Sequence, residues 1–258
     1  MAKKVFKIIT IILCSAVVAI SMFIGVVSIN FNANYTVSVC NKYSMLTGIN
    51  LDFYLQGYDY NIETETEKPG DYAILDKKHK NFNRGDMVTA AVNWEAVGGK
   101  DNIIKRLVAL PGDKFKIEER VEDGKKFYDL IVNGNVLYTK PEIEYVGESL
   151  KPGEEGKALT LNNSKTYEQF YTIITTAANV ESGRVVEDED GKWIVLRENE
   201  YFLLGDNWQD SYDCMDEGKP VAFENLDYKV VGIIKHKNYN RWEVFKSAVK
   251  LLFFKSCF

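Results

Sequence analysis

The first thirty residues divide into a short basic segment and a long apolar one. Lys3, Lys4 and Lys7 precede an uncharged, largely apolar run at residues 8–29. A helix of this length crosses a hydrocarbon core. A cleavable leader has a shorter apolar region and a small-x-small cut site, and a buried core helix is seldom apolar on every side. We therefore expect a signal anchor at residues 8–29, with residues 1–7 cytoplasmic and the chain from residue 30 onward outside.

The pattern after the anchor changes to short strands. Runs rich in β-branched and aromatic residues are bounded by turn signals, and the Asn133-Gly134 pair between two such runs is typical of a tight hairpin. The strong runs lie at residues 72–75, 87–92, 103–110, 127–132, 193–196 and 201–204. We expect a mostly β fold, an antiparallel barrel or sandwich-like domain over residues 30–240. A polar stretch at residues 139–190 predicts an inserted subdomain.

The last segment, residues 241–258, predicts an amphipathic helix. Glu243, Lys246, Ser247 and Lys250 fall on one side, and apolar residues cover most of the rest. The segment is too short to span a bilayer. It either lies in the membrane interface or packs against the rest of the extracytoplasmic chain.

Composition and charge exclude some classes of function. The chain is 46% hydrophobic and carries a formal net charge of −5, so nothing in it favours a nucleic-acid surface. Its four cysteines form no C-x-x-C pair and no disulfide framework. We expect no metal and no cofactor.

Three short segments carry candidate chemistry. They are residues 43–47 (YSMLT), residues 103–113 (IIKRLVALPGD) and residues 201–213 (YFLLGDNWQDSYD). Each has an ordinary explanation when taken alone: a serine beyond a membrane exit is common, Lys105 could guard a strand edge, and Gly-Asp-Asn is ordinary turn chemistry. Their order along the chain is what makes them informative.

Together the segments resemble those of the type I signal peptidase family. The resemblance runs from the anchor to about residue 235 and includes Arg84-Gly85-Asp86 and the Asn133-Gly134 hairpin. It implies a signal-peptidase catalytic domain in which Ser44 is the nucleophile and Lys105 the general base. It also implies that Ser211 orients Lys105 and that Asp213 supports the same turn.

The chemistry of such a pair is plausible from the residues themselves. A serine hydroxyl needs a neighbouring base. A solvated lysine is protonated at neutral pH, but burial lowers its pKa. Lys105 lies among apolar residues of a predicted strand, whereas His79 and His236 sit in lysine-rich surroundings and offer no rival base.

The resemblance also implies the substrate class. Members cleave exported preproteins after a small-x-small signal, with the peptide paired to strand edges. Here these edges would be the residues before Ser44 and the strand at Asn102, Ile103 and Ile104, with Met45 beside them. The implied partners are preproteins, the lipid bilayer, and pilin or secretion machinery.

Several departures from the family pattern stand out. Lys42 occupies the position, two before Ser44, where a small or hydroxyl residue often helps hold the oxyanion. Trp208, Cys214 and Met215 stand where the family has arginine, serine and arginine, so the usual partner of Asp213 is missing. Residues 48–70 form a long acidic, tyrosine-rich insertion.

The departures leave more than one function open. They resemble those of divergent signal-peptidase-like proteins that assist surface pilus assembly. One hypothesis is a membrane-bound serine endopeptidase that removes signal peptides. The alternative is a weak or inactive factor that holds pilin-like substrates in the peptide groove. A Ser/Lys autoprotease resembling SOS repressors shares the dyad but conflicts with the anchor.

Overall fold

A computed structural model describes residues 2–39, 72–94, 99–141, 164–206, 208, 211–234 and 239–254. The chain is mostly β, with antiparallel strand pairing throughout the described ladders. Within these residues the strands form open sheets rather than a closed barrel. The chain separates into two compact units, which are described one at a time.

The first unit, which we call the anchor unit, combines Met1–Val39, Asp71–His79 and Val230–Phe258. Helix α1 (Ala2–Asn34) leads directly into strand β1 (Tyr35–Val39), which pairs with β2 (Tyr72–Asp76). The end of strand β12 (Leu226–Ile234) and the C-terminal helix (Arg241–Phe254, α5 in the numbering used below) complete the unit.

Helix α1 confirms the apolar segment expected from the sequence. Its stretch Ile9–Asn34 is long and apolar enough to cross a membrane. Large apolar side chains such as Ile12 and Met22 are exposed, at 61% and 67%. Only towards the end of the helix do side chains become buried, namely Val27 and Phe31 against the core of the anchor unit.

The second unit, which we call the larger unit, includes Lys80–Lys229. One of its sheets has the order β12–β3–β4–β10–β11, and the other has the order β7–β6–β5–β9–β8. The strands of this unit are β3 (Met87–Trp94), β4 (Gly99–Ala109), β5 (Lys114–Glu122), β6 (Lys125–Val132), β7 (Asn135–Pro141), β8 (Val185–Asp188), β9 (Gly191–Val195), β10 (Glu200–Leu204), β11 (Val221–Ala222) and the first part of β12.

The turns of the larger unit follow local sequence chemistry. Asn133 and Gly134, which join β6 to β7, both have positive φ (49° and 80°), so the predicted hairpin is confirmed. Asp123 and Gly124 make the same kind of turn between β5 and β6. A single core of interlocked apolar side chains lies beneath these strands, and Phe115, Leu107 and Leu203 are fully buried in it.

In the described part of the larger unit, three α-helices interrupt the strands, together with a short 3-10 helix at Phe223–Asn225. The α-helices are α2 (Ser164–Thr175), α3 (Ala177–Glu181) and α4 (Cys214–Glu217). Helix α2 falls within the segment expected to form an inserted subdomain. Its Phe170, Ile173 and Ile174 are buried in the same core as the strands, so this helix packs on the sheets.

Candidate active site

Lys105 lies on the buried face of strand β4. Side chains alternate along a strand, and Lys105 shares its face with Ile103 and Leu107. Its side chain is only 3% exposed. A lysine that guards a sheet edge keeps its ammonium group in water, so burial excludes that interpretation. The apolar strand predicted around Lys105 is confirmed.

The Lys105 ammonium group contacts a hydroxyl. Its Nζ donates to Ser211 Oγ across 2.9 Å, although the two residues are 106 positions apart. Within the described part of the chain, Lys105 makes no ion pair with a carboxylate. The structure therefore brings together Lys105 and Ser211.

Asp213 holds the turn that presents Ser211. Its carboxylate accepts from the Gly205 N–H at 2.8 Å and from the Met215 N–H at 3.0 Å, which makes it the N-cap of helix α4. Asp216 completes a capping box by accepting from the Asp213 N–H. Although the expected arginine partner is missing, Asp213 is 2% exposed and hydrogen-bonded.

Burial dominates the electrostatics of this cluster. It lowers the pKa of Lys105, while the negative charges of Asp213 and Asp216 act in the opposite direction and the positive charge of Lys165 acts with it. Burial raises the pKa of Asp213, opposed by the Lys105 charge, the Gly205 N–H and a hydrogen bond with the Ser211 side chain. Burial is the largest of these influences, so the net direction of the Lys105 pKa is downward from its usual value.

Lys165 is a component of the cluster that the sequence did not reveal. It lies on helix α2, and its Nζ donates to the Ser211 carbonyl oxygen at 2.7 Å and pairs with Asp216 at 2.8 Å. Gln169, one turn later, donates to the same Asp216 carboxylate at 2.6 Å. Helix α2 therefore braces the backbone of the turn that carries Ser211.

The unusual residues of the third motif are parts of the core. Trp208 is 2% exposed, and its carbonyl oxygen accepts from the Thr166 hydroxyl of α2 at 3.2 Å. Cys214 is fully buried and accepts from the Leu203 N–H, and Met215 is 2% exposed. These three residues pack in the core at positions where the family pattern has arginine or serine. The contact between Lys105 and Ser211 is present all the same.

The opposite face of β4 carries an ion pair between Arg106 and Asp206. Arg106 forms a bidentate pair with Asp206, with distances of 2.6 Å from Nε and 2.5 Å from Nη2, and also donates to the Gly85 carbonyl oxygen at 2.8 Å. Burial acts to lower the pKa of Arg106, but the hydrogen bonds and charge of Asp206 outweigh it and the pKa is raised. This pair ties β4 to the residues that follow β10.

The strand residues expected to bind a peptide lie next to Lys105. Asn102, Ile103 and Ile104 pair with Ala91, Ala90 and Thr89 of β3. Strand β10 pairs with β4 only from Arg106 onward, so among the described residues the other edge of β4 is unpaired at residues 102–104. Asn102 is exposed, Ile103 is buried and Ile104 is half-buried. An unpaired edge of this kind can accept an extended chain.

Ser44 and Met45 lie outside the described residues, as do Lys42 and the 48–70 insertion. Their expected roles as nucleophile, substrate contact and oxyanion neighbour therefore stay predictions. The described side of the site consists of Lys105, its hydroxyl partner Ser211 and the turn behind them.

A buried lysine held against a hydroxyl is an arrangement suited to a hydrolase that uses an amine as its base. Comparison with known proteins agrees with this class. The family described as signal peptidase, peptidase S26, matches residues 2–232, and the chain belongs to this family.

Two curated proteins called signal peptidase I are similar to the chain. They come from Rickettsia bellii strains OSU 85-389 and RML369-C, and each is 28% identical over 177 residues. The match covers 66% of this chain and 53% of each relative, so the chain spans about half the length of the curated relatives it matches.

Proposed function

We propose that this protein is a membrane-bound serine endopeptidase that removes signal peptides from exported preproteins. Ser44 attacks the scissile carbonyl, and Lys105 accepts the proton of the Ser44 hydroxyl. The observation that carries the proposal is the contact between the buried Lys105 Nζ and Ser211 Oγ. Family membership supports the same reaction.

The hydroxyl of Ser211 supports the role of Lys105 as a base. Ser211 has one proton of its own to donate, and we propose that the nearby Asp213 carboxylate accepts it. Ser211 Oγ is then an acceptor towards Lys105, in agreement with the 2.9 Å contact. A neutral amine has two protons and one lone pair. When one N–H donates to Ser211, the lone pair stays available for the proton of Ser44.

Each later step follows from the same groups. The protonated Lys105 returns its proton to the leaving amine as the acyl-enzyme forms, and the neutral amine then activates a water molecule for hydrolysis. Burial favours the neutral amine between steps. Among the backbone donors, the N–H of Ser44 is our candidate for the oxyanion contact.

The preprotein is proposed to bind as an added strand on β4. The unpaired edge at residues 102–104 directly precedes Lys105 in the strand, so a peptide paired there lies beside the base. Met45 is proposed as a side-chain contact for the same peptide. Pilin precursors or secretion machinery are candidate partners of this groove.

The membrane position is also part of the proposal. Helix α1 would cross the bilayer once, with its lysine-preceded end in the cytoplasm and the larger unit outside. Protease protection in intact cells, compared with permeabilised cells, tests the orientation: cleavage of the larger unit from the outside supports it, and cleavage only after permeabilisation contradicts it.

Cleavage of a preprotein with a small-x-small signal tests the reaction directly. The detergent-solubilised protein is compared with its Ser44→Ala and Lys105→Ala variants. Cleavage that disappears in both variants supports the dyad. The alternative, a non-cleaving pilin-assembly factor, requires that the parent protein binds such a precursor without cutting it while an active family member cuts it. Burial of Trp208, Cys214 and Met215 removes one sequence argument for that alternative, because these residues leave the Lys105 contact intact.

A further inference from the structure

The C-terminal helix α5 (Arg241–Phe254) has two dissimilar sides. Ala248 and Leu251 are buried against the core of the anchor unit. On the other side, Trp242 and Phe253 are both 63% exposed. These two residues are three helical turns apart and point in nearly the same direction, at about 100° per residue. A row of exposed aromatic side chains on one side of a helix marks a surface that binds another protein or a membrane.

The exposed side also carries positive charge. Lys246 and Lys250 follow Trp242 at intervals of four residues and therefore flank the aromatic side chains. Lys246 pairs with Glu243 at 2.7 Å and is 48% exposed. Phe254 is 75% exposed beside them. Aromatic and lysine side chains on one face are typical of a helix that lies in the headgroup region of a membrane.

The position of α5 in the anchor unit indicates that the lipid bilayer covers its exposed side. Its buried side packs on Val27 and Phe31, which are in the last turns of α1. The preceding part of α1 exposes apolar side chains on all sides and is long and apolar enough to cross a bilayer. Helix α5 is thus beside the end of the apolar segment, where hydrocarbon gives way to headgroups.

We propose that α5 is an interfacial helix that binds the anionic headgroup region of the bilayer. Trp242 and Phe253 enter the boundary between headgroups and acyl chains, and Lys246 and Lys250 contact lipid phosphates. A helix of this length, about 21 Å, is too short to span the bilayer and lies along its surface. The anchor unit then has two membrane contacts, the span and α5.

Trp242 provides its own reporter for this proposal. The chain has four tryptophans, and Trp94, Trp193 and Trp208 are all buried. The full-length protein is reconstituted in vesicles of phosphatidylcholine and phosphatidylglycerol, with bromine atoms at a shallow or a deep acyl position. The fluorescence of Trp242 is obtained as the difference between the parent protein and Trp242→Phe, which leaves the buried tryptophans in both samples.

We expect shallow bromine to reduce the Trp242 signal by roughly twofold or more, deep bromine to reduce it less, and aqueous acrylamide to have little effect. Vesicles without bromine are the control. A Trp242 signal that acrylamide quenches and bromine does not would overturn the proposal, because the helix then faces water. A signal shielded from both quenchers, and dependent on the protein-to-lipid ratio, would also overturn it in favour of contact between copies of the chain.

The lysines are tested separately with Lys246→Gln and Lys250→Gln combined. Both side chains are exposed, so these changes leave the core contacts of α5 in place. In the parent protein, replacing phosphatidylglycerol by phosphatidylcholine should weaken quenching by shallow bromine, and the double variant should lose this dependence on lipid charge. Equal dependence in both proteins would contradict the phosphate contacts.

Discussion

Strand β4 carries two consecutive basic residues, one on each face, and they differ in their partners and in the direction of their pKa shifts. Lys105 points into an apolar core, and its one hydrogen-bond partner among the described residues is the Ser211 hydroxyl. Arg106 points to the other face and forms a bidentate ion pair with Asp206. The pKa of Lys105 is lowered by burial, whereas that of Arg106 is raised by Asp206 despite burial.

This contrast shows that the partner, as well as the burial, sets the direction in which the pKa of a basic side chain moves. A carboxylate compensates for lost hydration of a cation, and a hydroxyl does so much less. A basic side chain that exchanges protons near neutral pH is therefore better served by a hydroxyl partner, which leaves its pKa low. A basic side chain that holds two segments together is better served by a carboxylate, which keeps it charged. Strand β4 supplies both within two residues.

The largest effect is expected from replacing Lys105. Lys105→Met should reduce signal-peptide cleavage by about a thousandfold, because the proposed reaction would lose its general base. Lys105→Arg should be equally inactive, since a guanidinium group stays protonated. Initial rates of cleavage of a preprotein substrate provide the measurement.

Lys140 offers a matched control for this experiment. Burial lowers its pKa as well, but its Nζ donates to the Asp206 carbonyl oxygen at 2.9 Å instead of contacting Ser211. Lys140→Met should keep the cleavage rate within about threefold of the parent. Equal loss in both variants would show that folding of this unit also needs a half-buried lysine that does not contact Ser211, and the role of Lys105 as a base would lose its support.

The ion pair on the other face should affect stability. Arg106→Met leaves the Asp206 carboxylate largely buried without its cation, so the free energy of unfolding should fall by about 3 kcal/mol. Replacing both partners, as Arg106→Met with Asp206→Leu, should recover much of this loss because no charge is then stranded. Denaturant unfolding of the three proteins measures the effect. A double variant no more stable than Arg106→Met would contradict the explanation.

Replacing Lys105 should have the opposite effect on stability. Its pKa is lowered in the folded state, so between that value and 10.5 the unfolded chain binds a proton that the folded chain does not. The contribution of Lys105 to the free energy of unfolding therefore rises with pH across this window and is most unfavourable below it. Lys105→Met should stabilise the protein by about 1 kcal/mol at neutral pH.

The pH dependence distinguishes this mechanism from a simple gain in packing. The stability advantage of Lys105→Met over the parent should shrink as the pH approaches 10.5, because the unfolded chain then also loses the proton. An advantage that stays constant from neutral pH to pH 10 would indicate packing alone. The measurement is unfolding by denaturant at several pH values.

The sequence predicted the strand side of this site better than the turn side. Lys105 was identified from the family resemblance of its short segment and from its apolar neighbours, and the Asn133-Gly134 turn because both residues tolerate positive φ. Both signals are local. The contacts of Lys165 with Ser211 and Asp216 join residues 46 and 51 positions apart. No local pattern encodes such a contact, because it depends on where α2 packs, and α2 lies in the polar segment, residues 139–190, for which the sequence predicts an inserted subdomain.

The smallest and most specific effect concerns Lys165 and Asp216, which pair with each other behind Ser211. Lys165 carries positive charge that lowers the pKa of Lys105, and Asp216 carries negative charge that raises it. Removing the cation with Lys165→Met should raise the pKa of Lys105 and move the acidic limb of the pH–rate profile to higher pH. Asp216→Asn removes the anion and should move the same limb to lower pH.

The opposite signs are what make this pair of variants informative. Each change breaks the same ion pair and loosens the same turn, so a purely structural role predicts similar losses of rate, about threefold, with no displacement of the pH profile. Shifts in opposite directions would instead show that helix α2 tunes the base electrostatically. The kcat/KM of preprotein cleavage across the acidic limb is the measurement, because it reports the pKa of the free enzyme.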